Sequence, residues 1–177
     1  MLRAQGELTQ DVLVTWAIES PTPGVVLVSV VIEGPRSVTP LHWRGGDWTK
    51  PPLDIEVNPT NGAVQALQVV LQDEHVQRGH LDSKAAGVAG IPVVEVTDWS
   101  EDRYRDVRCE VQVTRGPTDE LVIRLGESPV ASRSGASGLL MFGWDASVRL
   151  CEIVIGPLGR NEWDDIDAFA GDIGGSD

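Results

Sequence analysis

Two eight-residue stretches of this chain, VQALQVVL at 64–71 and VRLCEIVI at 148–155, are apolar or polar at nearly the same places. Runs of this length that are rich in Val, Ile and Leu are typical of β-strands. Similar runs recur along the chain, and turn-forming pairs such as Asn61-Gly62 separate them. The 177 residues are therefore predicted to fold mainly as β-sheet.

The strand-like runs form two series that share the order strand, turn, strand, long loop, strand, turn, strand. They occupy 11–19, 25–33, 53–57 and 63–72 in the first series, and 109–115, 121–127, 139–145 and 148–156 in the second. This order predicts two pseudo-repeated, four-stranded antiparallel meanders that pack as a sandwich, because each unit has an apolar face to bury. The expected divisions are a first β-unit at 1–72, a connector at 73–108, a second β-unit at 109–157 and an acidic C-terminal segment at 158–177.

The C-terminal segment RNEWDDIDAFAGD at 160–172 predicts a short helix that Asn161 would cap. Its apolar residues recur three to four positions apart, which gives one apolar stripe made of Trp163, Ile166, Phe169 and Ala170. Residues 158–177 hold six acidic side chains against Arg160 alone. The acidic side chains opposite the stripe form either a solvated helix face or a contact surface for a basic groove; they are Glu162, Asp164, Asp165 and Asp167.

The whole chain is acidic, with a formal net charge of −13. Such a surface repels nucleic acid and anionic lipid, so neither is expected as a partner. It attracts a basic protein, although acidity also serves solubility alone. We find no signal-peptide pattern and no stretch of 18 apolar residues, which favours a cytoplasmic protein. Cys109 and Cys151 are expected to be buried thiols, and a bridge between them stays open.

The segment HWRGGDW at 42–48 is predicted to be a loop, because Gly45-Gly46 suits a tight reversal. Trp43 and Trp48 flank the glycines, and Arg44 and Asp47 lie beside them. Trp and Arg are enriched where proteins bind each other, so Trp43, Arg44, Asp47 and Trp48 are a candidate contact patch. The alternative is that both indole rings fold back over the edge of the core.

We find no catalytic signature in the sequence: no nucleophile elbow, no P-loop and no dinucleotide-binding glycine pattern. His75 and His80, five residues apart, suit a polar loop better than a metal site. Neither a metal nor a cofactor is predicted.

In its size, its acidity and its lack of catalytic motifs, the chain resembles the immunity proteins of bacterial polymorphic toxin systems. The resemblance implies a protein that binds a toxin domain and occludes its active site. Three other interpretations remain open. The chain could be a β-sandwich that binds a small ligand or a carbohydrate on Trp side chains, because it has six tryptophans. It could also be an enzyme of unfamiliar type, or a structural subunit of a larger assembly.

Overall fold

The computed structural model describes residues 1–8, 12–34, 37, 39–72, 76–79, 87–97, 99, 101–136 and 138–170. His75 and His80 lie outside the described residues. The described elements are β1 (Ala4–Leu8), β2 (Val14–Thr22), β3 (Val25–Ile32), β4 (Leu41–Gly46), β5 (Leu53–Val57), β6 (Val64–Gln72), β7 (Gly87–Ala89), β8 (Ile91–Val94), β9 (Tyr104–Arg108), β10 (Val111–Arg115), β11 (Leu121–Leu125), β12 (Ser132–Ala136), β13 (Leu140–Trp144), β14 (Leu150–Ile155) and α1 (Arg160–Ala170). The predictions of a mainly β fold and of a short C-terminal helix are confirmed.

Two six-stranded sheets dominate the structure, and they have the same strand order. The first sheet runs β2-β3-β6-β5-β4-β9, and the second runs β10-β11-β14-β13-β12-β7. In each sheet the sixth strand comes from the stretch at 73–108 and pairs in parallel with its neighbour, whereas all other pairs are antiparallel. Strands β1 and β8 form a separate antiparallel pair.

The prediction of two four-stranded meanders differs from these sheets in strand number and in order. Strands β4 and β12 occupy segments that were predicted to be loops, because Gly45-Gly46 suits a reversal in the first segment and small residues dominate the second. The order is not that of a meander either, since β6 lies between β3 and β5, and β14 lies between β11 and β13. Strand β14 is buried at all six positions, and an apolar strand of this kind suits the middle of a sheet with cover on both faces.

Both sheets also have a β-bulge at the same place. Strand β6 has one extra residue, Gln65, opposite β5, and β14 has one extra residue, Cys151, opposite β13. Aligning the bulges places residues 64–69 on residues 150–155, which is two positions away from the gapless match of the sequences. Because side chains alternate with a period of two along a strand, a shift of two keeps every residue on its face.

The inner faces of the two sheets meet in one apolar core. The core includes Val28, Val30, Ile55 and Leu67 from the first sheet and Ile123, Phe142, Ile153 and Ile155 from the second. Helix α1 adds Trp163 and Ile166 to this core and lies against β2 and β3. The sheets therefore pack together as a sandwich. Trp163 and Ile166 hold α1 against β2 and β3, the first two strands of the first sheet.

Candidate protein-binding surface

Trp43, the first candidate contact residue, lies in the core. Strand β4 alternates so that Leu41, Trp43 and Gly45 point inwards, and Trp43 is 0% exposed. Its ring lies across Gly45, where an added Cβ atom would be 2.3 Å from the ring. Its indole N–H has no hydrogen-bond partner among the described residues. A partner therefore has no access to Trp43 in this conformation, as the alternative interpretation of this residue expected.

Arg44 points to the outer face of the first sheet, where another residue of the chain holds it. Its Nε and Nη2 atoms donate to the two carboxylate oxygens of Asp106 at 2.7 and 2.8 Å. Its guanidinium also stacks over the ring of Tyr104, 4.4 Å from the ring centroid. A bidentate pair of this geometry fixes the side chain, so Arg44 lies on the surface in a set position.

Asp47 and Trp48 are exposed in the loop after β4, and Trp48 is 44% exposed. Asp47 accepts hydrogen bonds from the hydroxyl and the backbone N–H of Thr49, at 2.7 and 2.9 Å. These bonds stabilise the charged form and hold the pKa of Asp47 below its usual range. The loop thus presents one ionised carboxylate and one indole ring to solvent.

Helix α1 is anchored by its buried tryptophan. Trp163 is 1% exposed, and its indole N–H donates to the backbone oxygen of Asp119 at 3.0 Å. The guanidinium of Arg115 lies over the ring, 4.4 Å from its centroid. An indole that is both bonded and stacked has one available orientation, so the exposed face of α1 is held rigidly.

The helix begins at Arg160, so the prediction that Asn161 caps it is wrong. Gly159 is the N-cap residue, and the carboxylate of Glu162 accepts a hydrogen bond from its backbone N–H. The other carboxylate oxygen of Glu162 accepts the indole N–H of Trp16 at 2.9 Å. This is the carboxylate half of a capping box. Glu162, a candidate contact residue, thus ties the start of α1 to β2.

The other three candidate acids of α1 are exposed, and arginines lie near two of them. Asp164 lies 3.8 Å from Arg160, and Asp167 lies 3.9 Å from Arg115. Asp165 has no ion pair within the described residues. Neither pair is a close contact, and the exposed Arg160–Asp164 pair adds little stability. Three of the four candidate acids of α1 therefore face solvent, and Asp165 alone among them has no arginine within 4 Å in the described structure.

The two candidate patches lie on different parts of the first sheet. Helix α1 packs against β2 and β3, whereas the loop with Asp47 and Trp48 follows β4, four strands away from β2. Neighbouring strands are about 4.8 Å apart, so the strands themselves are separated by roughly 19 Å. The structure does not bring the two patches into one compact site.

Sequence reasoning missed a polar cluster on the outer face of the first sheet. His42 Nδ1 lies 3.1 Å from Asp54 Oδ1, and the His42 ring stacks on Tyr104 with centroids 5.0 Å apart. Burial is the main cause that raises the pKa of Asp54, and the contact with His42 opposes it. The alternation of His42 with Arg44 could have indicated this face, but β9, which supplies Tyr104 and Asp106, had no strand signal.

The two cysteines are free thiols with no sign of activation. Burial raises the pKa of Cys109. Burial, together with the carboxylates of Asp145 and Glu152, raises the pKa of Cys151 to about 11. A reactive cysteine needs a lowered pKa, because the thiolate is the nucleophile. Both side chains therefore serve packing.

The grooves of the described part of the chain include two of similar volume. One, of about 210 Å³, lies between the β4–β5 loop and β10, and its lining includes Asp47, Lys50, Leu53 and Glu110. The other, of about 200 Å³, is lined by residues that include Leu8, Asn58, Asn61 and Ile91. Neither lining includes an aromatic ring. Carbohydrate sites use aromatic rings as stacking platforms, and these two grooves offer none.

No protein-family model matches this chain, and no curated protein matches its sequence. In the part of the chain that the structure describes, no group of three or more His, Cys, Asp and Glu side chains is placed to hold a metal ion. Among the same residues, no helix has the length and apolar character needed to cross a membrane.

Proposed function

We propose that this chain is an acidic, cytoplasmic protein-binding module that sequesters or inhibits a basic partner, in the way that a bacterial immunity protein binds a toxin domain. The observation that supports this most is the acidic face of α1. Trp163 and Ile166 anchor the helix in the core, so Asp164, Asp165 and Asp167 stand on the surface at fixed positions. A helix whose backbone is already ordered loses little backbone entropy when a partner binds its carboxylates.

Charge gives this surface a kinetic role as well. The formal net charge of −13 attracts a basic protein over a distance of several ångströms and raises the rate of encounter. A standard interface covers about 800 Å² on each partner, which is enough to reach from α1 towards the outer face of the first sheet. Asp47 and Trp48 on the β4–β5 loop are proposed as a second, smaller contact, with Trp48 as its apolar part.

The test begins with the chain as immobilised bait in an extract of the source cells at about 50 mM salt. We expect a basic protein to be retained in defined stoichiometry and its affinity to fall as salt is raised towards 0.5 M, because screening weakens charge contacts. The affinity of the purified pair is then measured for two triple variants. D164N/D165N/D167N removes the acidic face of α1, and E7Q/E101Q/E127Q removes the same charge from exposed sites elsewhere.

We expect the α1 variant to weaken binding at least about tenfold and the control to weaken it several times less. Equal losses would show that net charge acts without a specific surface. The absence of any stoichiometric basic partner would contradict the proposed function itself.

A further inference from the structure

Strand β2 is the longest strand at a sheet edge in the described structure. It has nine residues and pairs only with β3. The other sheet edges are shorter: β9 and β10 have five residues each, and β7 has three. The end of β10 is also covered, because Arg115 exchanges backbone hydrogen bonds with Gln77 and Gly79. Among the described residues, none pairs with the outer edge of β2 in this way.

The backbone of β2 directs unpaired groups away from the sheet. Glu33 N–H donates to Leu13 O at 2.8 Å, so these two residues form a hydrogen-bonded pair of the ladder. Hydrogen-bonded and non-hydrogen-bonded pairs alternate in an antiparallel ladder. The N–H and C=O groups of Val14, Trp16 and Ile18 therefore point outwards from β3, and no hydrogen bond among the described residues takes them up. Such a row of groups is a template for one more strand.

Helix α1 flanks this edge without covering it. Trp163 and Ile166 place α1 on the inner face of β2 and β3, in the second layer of the structure. Glu162 bonds to Trp16 on the β2 side of the helix, and Asp167 faces Arg115 on the opposite side. The 100° step of a helix places Asp165 beside Glu162, on the side of β2.

Acidic side chains thus lie on both faces of the edge. Asp165 lies on the β2 side of α1, which packs on the inner face, and the exposed Glu19 of β2 lies on the outer face. Residues 12–24 contain no Lys or Arg. A second copy of the chain at this edge would bring like charges together, whereas a basic segment would meet opposite charges. The edge therefore suits an extended, basic segment.

We propose that the basic partner of the preceding subsection contributes an extended segment that adds to the first sheet alongside β2, with Asp165 and Glu19 as its charge contacts. This inference rests on the proposed function and specifies its binding mode. Backbone hydrogen bonds to Val14, Trp16 and Ile18 give the affinity, and the flanking carboxylates select basic side chains over acidic ones.

The test uses a fluorescent nine-residue peptide that alternates Lys and Val, and the same peptide with every internal amide nitrogen methylated. Both peptides carry the same charge, but the methylated one has no N–H to donate. At about 50 mM salt, we expect fluorescence anisotropy to show binding of the first peptide and at least about tenfold weaker binding of the second. Equal affinities would overturn strand addition and leave charge-based binding intact.

Variants of the protein give an independent readout. Pro is accepted at an edge position whose N–H faces solvent, so Ile18→Pro blocks the edge without breaking the β3 ladder. We expect I18P to weaken binding of the unmethylated peptide at least about fivefold and I18V to leave it nearly unchanged. Asp165→Asn is expected to weaken it about threefold, against a smaller change for the matched control D164N.

Three other outcomes would overturn the inference. One is peptide affinity that I18P leaves unchanged, with its fold checked by circular dichroism. Another is a dimeric mass in analytical ultracentrifugation that I18P converts to a monomer, which would make a second copy the occupant of the edge. The third is that the protein captures its basic partner but does not bind the peptide. This result would contradict strand addition and still support the proposed function. If I18P does not fold, the comparison of the two peptides on the native chain still tests strand addition.

Discussion

The two sheets share one strand order and one bulge position, yet they use their outer faces differently. In the first sheet, His42 and Asp54 on the outer face are 22% and 27% exposed. In the second sheet, the outer face buries an ion pair, in which Arg133 and Glu152 are 6% and 0% exposed. The aligned bulges place Glu152 at the position of Ala66. The same place in the scaffold thus holds a methyl group in one sheet and a carboxylate in the other.

The two outer faces differ in how accessible their polar side chains are to solvent and to a binding partner. Over the second sheet, Val130 lies against Gly143, where an added Cβ atom would be 3.1 Å from the valine side chain and 2.8 Å from Glu152. Arg133 and Glu152 are thereby withdrawn from water, whereas Arg124 beside them is 40% exposed. The first sheet keeps outer polar groups such as His42 and Asp54 in contact with solvent, and its edge strand β2 pairs only with β3 among the described residues. Two sheets of one strand order therefore differ in how far their outer polar side chains are withdrawn from water.

The largest effect is expected where the buried ion pair is broken. Glu152 accepts from Arg133 Nε at 3.1 Å and from Nη2 at 2.7 Å, and Arg124 lies 3.5 Å away on its other side. Glu152→Gln leaves the buried Arg133 without a compensating charge, which costs about 3–5 kcal/mol in the free energy of unfolding. Urea denaturation measures this loss.

The first sheet supplies the control for this prediction. Glu56 lies in the same cross-strand row, at the position of Gly143, and is partly exposed. We expect Glu56→Gln to cost about 1 kcal/mol or less, as is usual for accessible charges. If E152Q lowered the free energy of unfolding no more than E56Q does, burial of the ion pair in the second sheet would not affect stability.

Much of the fold could be predicted from the sequence, because a half-buried strand needs alternation and α1 needs apolar residues three to four apart. Strands β4 and β12 were missed for a local reason. Gly45-Gly46 resembles a turn, but Gly45 is required where the Trp43 ring crosses it. In β12, small residues at 132–136 give no apolar pattern, and pairing with β7 and β13 stabilises the strand instead. Contacts far apart in sequence outweighed local preference there.

The candidate site was predicted only in part, for a similar reason. The acids of α1 follow from the helix period, and three of the four are exposed. Trp43 could not be placed by composition, since an indole beside glycines suits either a contact patch or a core. The pairs of Arg44 with Asp106 and of His42 with Tyr104 join residues that are 62 positions apart. No local pattern in a sequence indicates a contact of that separation.

A second prediction compares the buried tryptophans of the two sheets. The indole N–H of Trp144 donates to Ser134 Oγ at 2.9 Å, whereas that of Trp43 has no partner among the described residues. Trp43→Phe removes an unpaired buried donor, and Trp144→Phe leaves the buried Ser134 hydroxyl unpaired. We expect W144F to destabilise the fold by about 1–2 kcal/mol more than W43F. Equal losses in thermal or urea unfolding would contradict this difference between the sheets.

The smallest effect concerns the outer face of the first sheet and its dependence on pH. Burial raises the pKa of Asp54 above its ordinary 3.8, with Glu56 adding to the shift and His42 and Arg44 opposing it. The folded state therefore binds the proton more tightly than the unfolded state does. Its contribution to stability is present below pH 3.8 and is lost as the pH rises through the folded pKa.

Asp54→Asn removes this titration while it keeps a side chain of the same size. The free energy of unfolding of the native chain should thus fall relative to that of D54N, by about 1 kcal/mol or less, as the pH rises from 3 through the range just above 3.8. Urea unfolding at a series of pH values measures the difference. A difference that rises with pH would mean that the contact with His42 outweighs burial, and that this face is stabilised by charge as the second sheet is.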